Sequence, residues 1–320
     1  MSDRPAENAV GGGEVMPYGK RQCPACAAPA CDACHEIGSA VPAETLPFAK
    51  LEEQWRNGFF KEKSIFSYHR CGRCGMLYAP TYFTYEQLER LYGSMLANMA
   101  EVSSDALTRT QFGYFRELRK VARLEGQYLE IGPDIGLFAR YCVVNGSFEH
   151  FWMFEPNVDV HDALRRTLNG NRFDISTELL DLSSVPDGQI AVAAMIHVLD
   201  HILEPVEFLR RLKIKLRPEA TLLIVTHDER SMLAKALRNR WPAYCLPHPH
   251  LFNRETMRAL LATAGFDTVK VVKSTNYFPV TFLMKHAIFA FGMGKVNLPS
   301  LPRLQLPLRL GNFITFARPA

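Results

Sequence analysis

No run of apolar residues in the sequence approaches the ~18 needed for a helix to cross a bilayer. The opening residues, MSDRPAENAVGGGE, lack the apolar stretch of a secretory signal, so the expectation is a cytoplasmic protein. Neither sign of charge dominates: 37 Lys and Arg stand against 33 Asp and Glu, a net charge of +4. That excess is too small to argue for a nucleic-acid partner. The basic residues gather mainly in Arg210–Arg217 and Arg230–Arg240, which read as solvated helix faces, not as a basic stripe interleaved with stacking aromatics. There is no internal repeat, and the composition excludes collagen-like, coiled-coil and wholly disordered chains. What remains is an ordinary globular mixture, 48% hydrophobic over 320 residues. It is enough for about two domains, or one domain with an appendage.

Cysteine is scarce outside one region. Six of the eight cysteines fall between Cys23 and Cys74, as the Cys-x-x-Cys pairs Cys23/Cys26, Cys31/Cys34 and Cys71/Cys74, while Cys142 and Cys245 stand alone. In a reducing compartment this spacing reads as metal ligation. Each tight turn faces two thiolates to one ion, and two turns complete a closed, structural four-thiolate zinc site. The best-matched turns are CPAC (23–26) and CGRCG (71–75), giving Cys23, Cys26, Cys71 and Cys74 as the expected ligands. Gly75 permits a left-handed backbone after the second turn, where the first turn has Ala27. Cys31 and Cys34 either replace the first pair or lie on a surface loop. Reduced buried thiols are the plain alternative, and a redox role would need a thioredoxin-like unit that is not visible.

The chain divides into a polar, Gly-rich and disordered segment (1–20), a zinc-ribbon-like module (21–80), a helical connector (81–125) and a main domain (126–320). Ser64–His69 reads as a strand entering the second Cys turn, and Thr84–Ser94 and Asp105–Glu125 as helices. From Gly126 onward, short apolar runs at 128–131, 151–154, 190–196, 221–226, 268–272 and 313–317 alternate with helical stretches. That alternation predicts an α/β fold with a doubly wound, Rossmann-like sheet covered on both faces. Residues 282–310, interrupted by Pro299, Pro302 and Pro307, read as an insertion before the last strand, a lid or a partner-facing surface.

The first run ends in YLEIGPDIGLFAR (128–140), a strand, a Gly-containing turn and a helix start. Ligands of doubly wound sheets sit at the carboxyl ends of the strands, where glycines allow close backbone approach. The second run ends at Glu155, 25 residues after Glu130, where an acidic side chain can accept hydrogen bonds from two ribose hydroxyls. A helix-start carboxylate is the plainer role for it. With HVLDHILEP (197–205) following the third run, these motifs resemble the class I S-adenosylmethionine-dependent methyltransferases, over about residues 126–320. The resemblance implies a seven-stranded sheet, S-adenosylmethionine as cofactor, and cofactor contacts from Glu130, Gly132, Asp134, Gly136, Glu155, Asp181 and His197. Asp181 would meet the adenine. Departures from the family pattern are Asp134 at the middle glycine, Ile190–Ala191 for the usual Phe-Asp, and Glu219–Ala220 for a Gly-Gly turn. The Cys module preceding such a fold is similar to that of bacterial sugar and secondary-metabolite methyltransferases, although their long C-terminal extension is absent.

Methyl transfer to a hydroxyl or an acidic carbon needs a base. His201 and His227, placed where the family's fourth and fifth strands should end, and His250, which opens a later stretch (250–266) similar to a family pattern, are the candidates, and a neutral histidine suits proton abstraction. The cluster Tyr78, Tyr82, Phe83 and Tyr85 would pack against an acceptor or simply dock the module. The expected function is methylation of a small molecule: a sugar, a polysaccharide precursor or a secondary metabolite. The alternatives are an RNA or protein methyltransferase using the zinc module for substrate binding, and a non-catalytic family member. The sequence does not indicate an oligomeric state.

Overall fold

The computed structural model describes residues 17–56, 64–93, 104–281, 283–284, 304–309 and 311–320. The first segment contains β1 (Gly19–Lys20), β2 (Ala33–Ile37), α1 (Phe48–Arg56), β3 (Tyr68–Cys71), β4 (Leu77–Tyr78), β5 (Thr81–Tyr82) and α2 (Tyr85–Gly93). The main domain follows with α3 (Ser104–Leu118), β6 (Glu125–Ile131), α4 (Ala139–Asn145), β7 (Ser147–Phe154), α5 (His161–Leu168), β8 (Phe173–Ser176), β9 (Ile190–Ile196) and α6 (Pro205–Lys215). It continues through β10 (Leu216–His227), α7 (Met232–Leu237), β11 (His250–Leu251), α8 (Arg254–Thr263), β12 (Phe266–Lys273), β13 (Asn276–Pro279), β14 (Gln305–Leu308) and β15 (Asn312–Pro319). No helix among the described residues is long and apolar enough to cross a membrane.

Seven strands form the central sheet in the order β12-β15-β10-β9-β6-β7-β8. Neighbours from β8 to β10 run parallel, and β15 is inserted antiparallel between β10 and β12. Alternation along each strand divides the core in two. Leu129, Ala193, Met195, Leu222 and Ile224 face α6 and α8 through Phe208, Leu212, Met257 and Leu260. Their neighbours Tyr128, Val192, Ala194, Leu223 and Val225 face α3, α4 and α5 through Phe115, Leu118, Cys142 and Leu164. Each large side chain so buried contributes about 1.5–3 kcal/mol, and the two layers hold the carboxyl ends of the strands in fixed register.

The expected strands are present, extended at most ends. One strand of the central sheet was not expected: β8, a four-residue edge strand. The connector helix ends at Leu118, not near Glu125, because the chain turns there to enter β6 through Gly126, at φ +85°. The strand expected at 64–69 lies at 68–71.

The Cys-rich segment is knitted to the main domain. Its four-stranded sheet runs β11-β4-β3-β2, so one strand comes from beyond residue 80, with His250 opposite Tyr78 and Leu251 opposite Leu77. Residues 1–16 of the expected disordered segment lie outside the described residues, while Gly19–Lys20 pair with Thr81–Tyr82. Of the expected 282–310 insertion, β14 pairs with β13, and most of the rest lies outside the described residues.

Candidate active site

At the carboxyl ends of β6 and β7 the backbone makes a tight cradle. Gly132, Asp134 and Gly136 adopt φ of +68°, +52° and +78°. Aspartate tolerates this region better than most residues, so the turn survives at the position where it replaces glycine. The Gly132 N–H donates to the Phe154 carbonyl at 2.8 Å. A Cβ on Gly132 would lie 2.7 Å from Val198 Cγ2, so the turn is pressed against the 197–201 segment.

The Glu155 carboxylate ties the cradle together. It accepts from the Asp134 N–H at 2.8 Å through Oε2 and from the Asn157 N–H at 2.9 Å through Oε1. Glu130 is buried beside it and accepts from the Tyr128 hydroxyl at 2.7 Å. Burial pushes Glu130 up to about 8, with the charge of Glu155 adding and the Tyr128 hydroxyl opposing. Burial and Glu155 push Asp134 up to about 6, and burial raises Glu155 against its backbone donors. Among the described residues no Lys or Arg forms an ion pair with any of the three. Three crowded carboxyls with no Lys or Arg beside them favour a cation, and S-adenosylmethionine carries two, an ammonium and a sulfonium. The donor set and the glycine cradle therefore fit that cofactor. Asp181 lies exposed in the turn after β8, its carboxylate accepting from the Ser183 N–H and hydroxyl at 2.9 and 3.0 Å.

Across the switch point, the ends of β9 and β10 gather a polar cluster. His197, at φ +55°, donates its N–H to Val225 O at 2.8 Å, and its Nε2 meets Asn312 Nδ2 at 3.3 Å. The short turn 199–201 carries Asp200, which is fully buried. Asp200 Oδ2 lies 2.6 Å from His227 Nδ1. His201 Nδ1 contacts the Tyr92 hydroxyl at 3.2 Å. His248 completes the group, its ring 4.7 Å from His201 and 5.0 Å from His227. Burial and neighbouring histidines push His197 and His201 down to about 3, so both are neutral. Burial opposes ionisation of Asp200 as well, but the His227 hydrogen bond and the surrounding histidines hold it well below the usual carboxylate range. Burial lowers His248 too, yet Cys245 and Asp200 outweigh it and bring it up to about 9.

The structure thus brings His201 and His227 together with two residues that were not singled out, Asp200 and His248. Asp200 sits inside the HVLDH motif, and His248 lies two residues before His250, which was chosen instead. His250 is fully buried, donates from Nε2 to Leu199 O at 3.1 Å, and serves in the β11 pairing.

The segment 241–249 roofs this cluster, and the Cys-rich module holds it down. The Tyr68 hydroxyl donates to His248 O at 2.6 Å and that of Tyr82 to Leu246 O. Ala79 N–H donates to Pro249 O at 2.9 Å, and Arg21 reaches Leu203 O at 2.6 Å. Tyr82 and Phe83 dock the module beside Leu203 and Leu246, Tyr78 is buried, and Tyr85 is exposed. In the module, Cys23 Sγ lies 3.5 Å from Cys74 Sγ and Cys26 Sγ 3.7 Å from Cys71 Sγ, with all four sulfurs within 4.8 Å of one another. Tetrahedral ligation at a metal–sulfur distance of about 2.3 Å places sulfurs about 3.8 Å apart, so these four side chains fit one zinc ion. The two turns match: Ala27 and Gly75 donate N–H to Cys23 O and Cys71 O, each at 2.9 Å, with φ of +54° and +73°. Cys31 and Cys34 are exposed and stand outside the cluster.

A family profile described as a methyltransferase domain matches residues 106–271, slightly over half of the chain. The chain belongs to this family. It is a class I S-adenosylmethionine-dependent methyltransferase, and S-adenosylmethionine is its methyl donor. Solved structures similar to the methyltransferase include one from Aquifex aeolicus, with 14% identity, a TM-score of 0.45, and coverage of 67% of this chain and 93% of that one. Another, from Mesorhizobium loti, has 14% identity, a TM-score of 0.44, and coverage of 64% and 97%. Both are described as S-adenosylmethionine-dependent methyltransferases. A search of curated proteins finds no match to the sequence.

Proposed function

We propose that the methyltransferase acts on a small molecule, of the sugar, polysaccharide-precursor or secondary-metabolite kind, held beneath the 241–249 segment. The observation that carries this reading is the enclosure of the reactive edge. Asp200 and His248 are buried, and Trp241 and Tyr244 above them are 3% and 4% exposed. Such a site admits a compact acceptor more readily than a polymer. The module spends its hydrogen bonds on this roof, which argues against its serving as a docking face for RNA or protein. Its four thiolates hold a structural zinc ion with no open coordination position, and its reduced thiols suit a cytoplasmic location.

In this reading Glu155 accepts the ribose hydroxyls, Asp181 meets the adenine, and Asp134 and Glu130 face the ammonium group. Gly132 and Gly136 let the backbone approach, and His197 backs the pocket. Bound S-adenosylmethionine supplies an electrophilic methyl carbon on a cationic sulfur. His227 takes the acceptor proton at Nε2, because Asp200 holds Nδ1 and stabilises the imidazolium that forms. His201 lines the acceptor side, and His250 fixes the backbone of the 199–201 turn.

The test is transfer of labelled methyl from S-adenosylmethionine into fractionated cell extract. Label should appear in the low-molecular-mass fraction; label confined to RNA or protein would defeat the small-acceptor reading. His227→Ala and Asp200→Asn should each lower kcat by roughly 100-fold or more while leaving cofactor affinity, read by calorimetry, near that of the parent.

A further inference from the structure

We propose that Asp200, His201 and His248 form a second metal site, separate from the four cysteines, which takes a borderline divalent ion such as zinc, iron(II) or cobalt(II) on the acceptor side of the pocket. A carboxylate oxygen of Asp200 and one ring nitrogen each of His201 and His248 lie within 4.8 Å of one another. Small rotations of the two rings close such a set onto one ion. Two imidazoles and one carboxylate suit borderline ions better than magnesium or calcium, which prefer all-oxygen ligation.

Three further observations point the same way. Asp200 Oδ2 is satisfied by His227, but Oδ1 is buried with no hydrogen-bond partner. An orphaned carboxylate oxygen in a fully buried residue costs on the order of 1–3 kcal/mol, more when charged, and an ion would remove that cost. Both rings are also held from behind. His248 Nδ1 faces Ala243 O at 2.6 Å and His201 Nδ1 faces the Tyr92 hydroxyl at 3.2 Å. This leaves Nε2 of each ring for a metal, which at His248 displaces the proton that Cys245 and Asp200 otherwise hold there, in the outer-partner arrangement that orients metal-bound histidines. Finally, the site spans two segments brought together only by folding: the 199–201 turn, and the loop that Tyr68 fastens through His248 O. His201 is only partly buried, which leaves access on its side.

Three protein ligands leave coordination positions open, as in catalytic sites. On the reading of the activity given above, an acceptor hydroxyl or enol oxygen occupies one of them. The ion lowers the pKa of that oxygen, and its proton passes to His227, which shares Asp200. The ion is neither oxidised nor reduced.

Full-length protein stripped of metal and titrated with cobalt(II) tests the site by stoichiometry and spectrum. The parent should bind two equivalents, one giving sulfur-to-cobalt charge-transfer absorption and one lacking it. His248→Gln and His201→Gln should each lose the second equivalent and keep the first. Retained charge-transfer absorption and retained S-adenosylmethionine binding show that these variants are folded. One equivalent only in the parent, or a second equivalent that survives both substitutions, would overturn the proposal. Methyl transfer by protein carrying the thiolate-bound ion alone would sink the metal site yet leave the small-molecule reading standing.

Discussion

At the scale of single residues, the molecule holds energy in two places. Glu130 ordinarily titrates near 4.5, and burial moves it to about 8 in the fold. The unfolded chain therefore gives up the proton above pH 4.5 while the folded chain keeps it to about 8. The contribution to stability is fully present below pH 4.5 and is lost as pH rises through this window, at most about 1.4 kcal/mol per pH unit. Glu130→Gln removes that slope. Urea unfolding across the window should show the variant gaining on the parent as pH rises, and equal slopes would contradict the buried-acid account. The other store is Ala27, at φ +54° in the first cysteine turn. A left-handed alanine costs roughly 1–2 kcal/mol that glycine escapes. Ala27→Gly should stabilise the metal-loaded protein by about 1 kcal/mol in the same measurement.

At the scale of elements, the cofactor turn is set by a steric fit between two loops. Gly132 has a positive φ, and a Cβ there would lie 2.7 Å from Val198. Gly132→Ala must therefore shift the 197–201 segment or the turn itself, and neither leaves the cradle in place. Calorimetry should find S-adenosylmethionine bound at least about tenfold more weakly (1.4 kcal/mol), with the parent secondary structure retained by circular dichroism. An unchanged affinity would show that the turn is more pliant than its packing implies. The legibility of these elements in the sequence follows their burial. The strand β9 coincides with its apolar run, 190–196, because a central parallel strand is covered on both faces. By contrast β8, with the sequence FDIS at a half-exposed edge, gives no apolar run to find. The two-residue β11 exists only because β4 lies beside it. The turn at 132–136 and the position of Glu155 beside it were legible because each follows a strand end. The pairing of Asp200 with His227 was not, since it depends on β9 and β10 ending side by side. Still less was His248, which reaches the cluster through a loop held by residues nearly two hundred positions earlier.

At the scale of the molecule, the Cys-rich module is a clamp on the segment that covers Asp200 and its histidines, the acceptor half of the proposed site. Its sheet is completed by β11, Arg70 bridges Glu36 and Glu229, and Tyr68, Tyr82 and Ala79 hold the backbone of residues 246–249. The cofactor half is built from the turns after β6 and β7 and the helices packed behind them, and it meets the module through the core, where Ile131 and Phe154 share a cluster with Cys23, Cys71 and Met76. Loss of the four-thiolate site should therefore separate the two functions of the pocket. In Cys74→Ser protein, amide hydrogen exchange should accelerate in residues 245–251 and in β3 and β4, while the strands β6 and β7 keep their protection. Methyl transfer should fall sharply because His248 and the roof above His227 lose their anchor. S-adenosylmethionine should still bind within a few-fold of its parent affinity, because none of the contacts proposed for it lies in the clamped segment. If exchange rises uniformly across the sheet and cofactor binding fails with it, the module is a support for the whole fold, not a clamp on one side of the site.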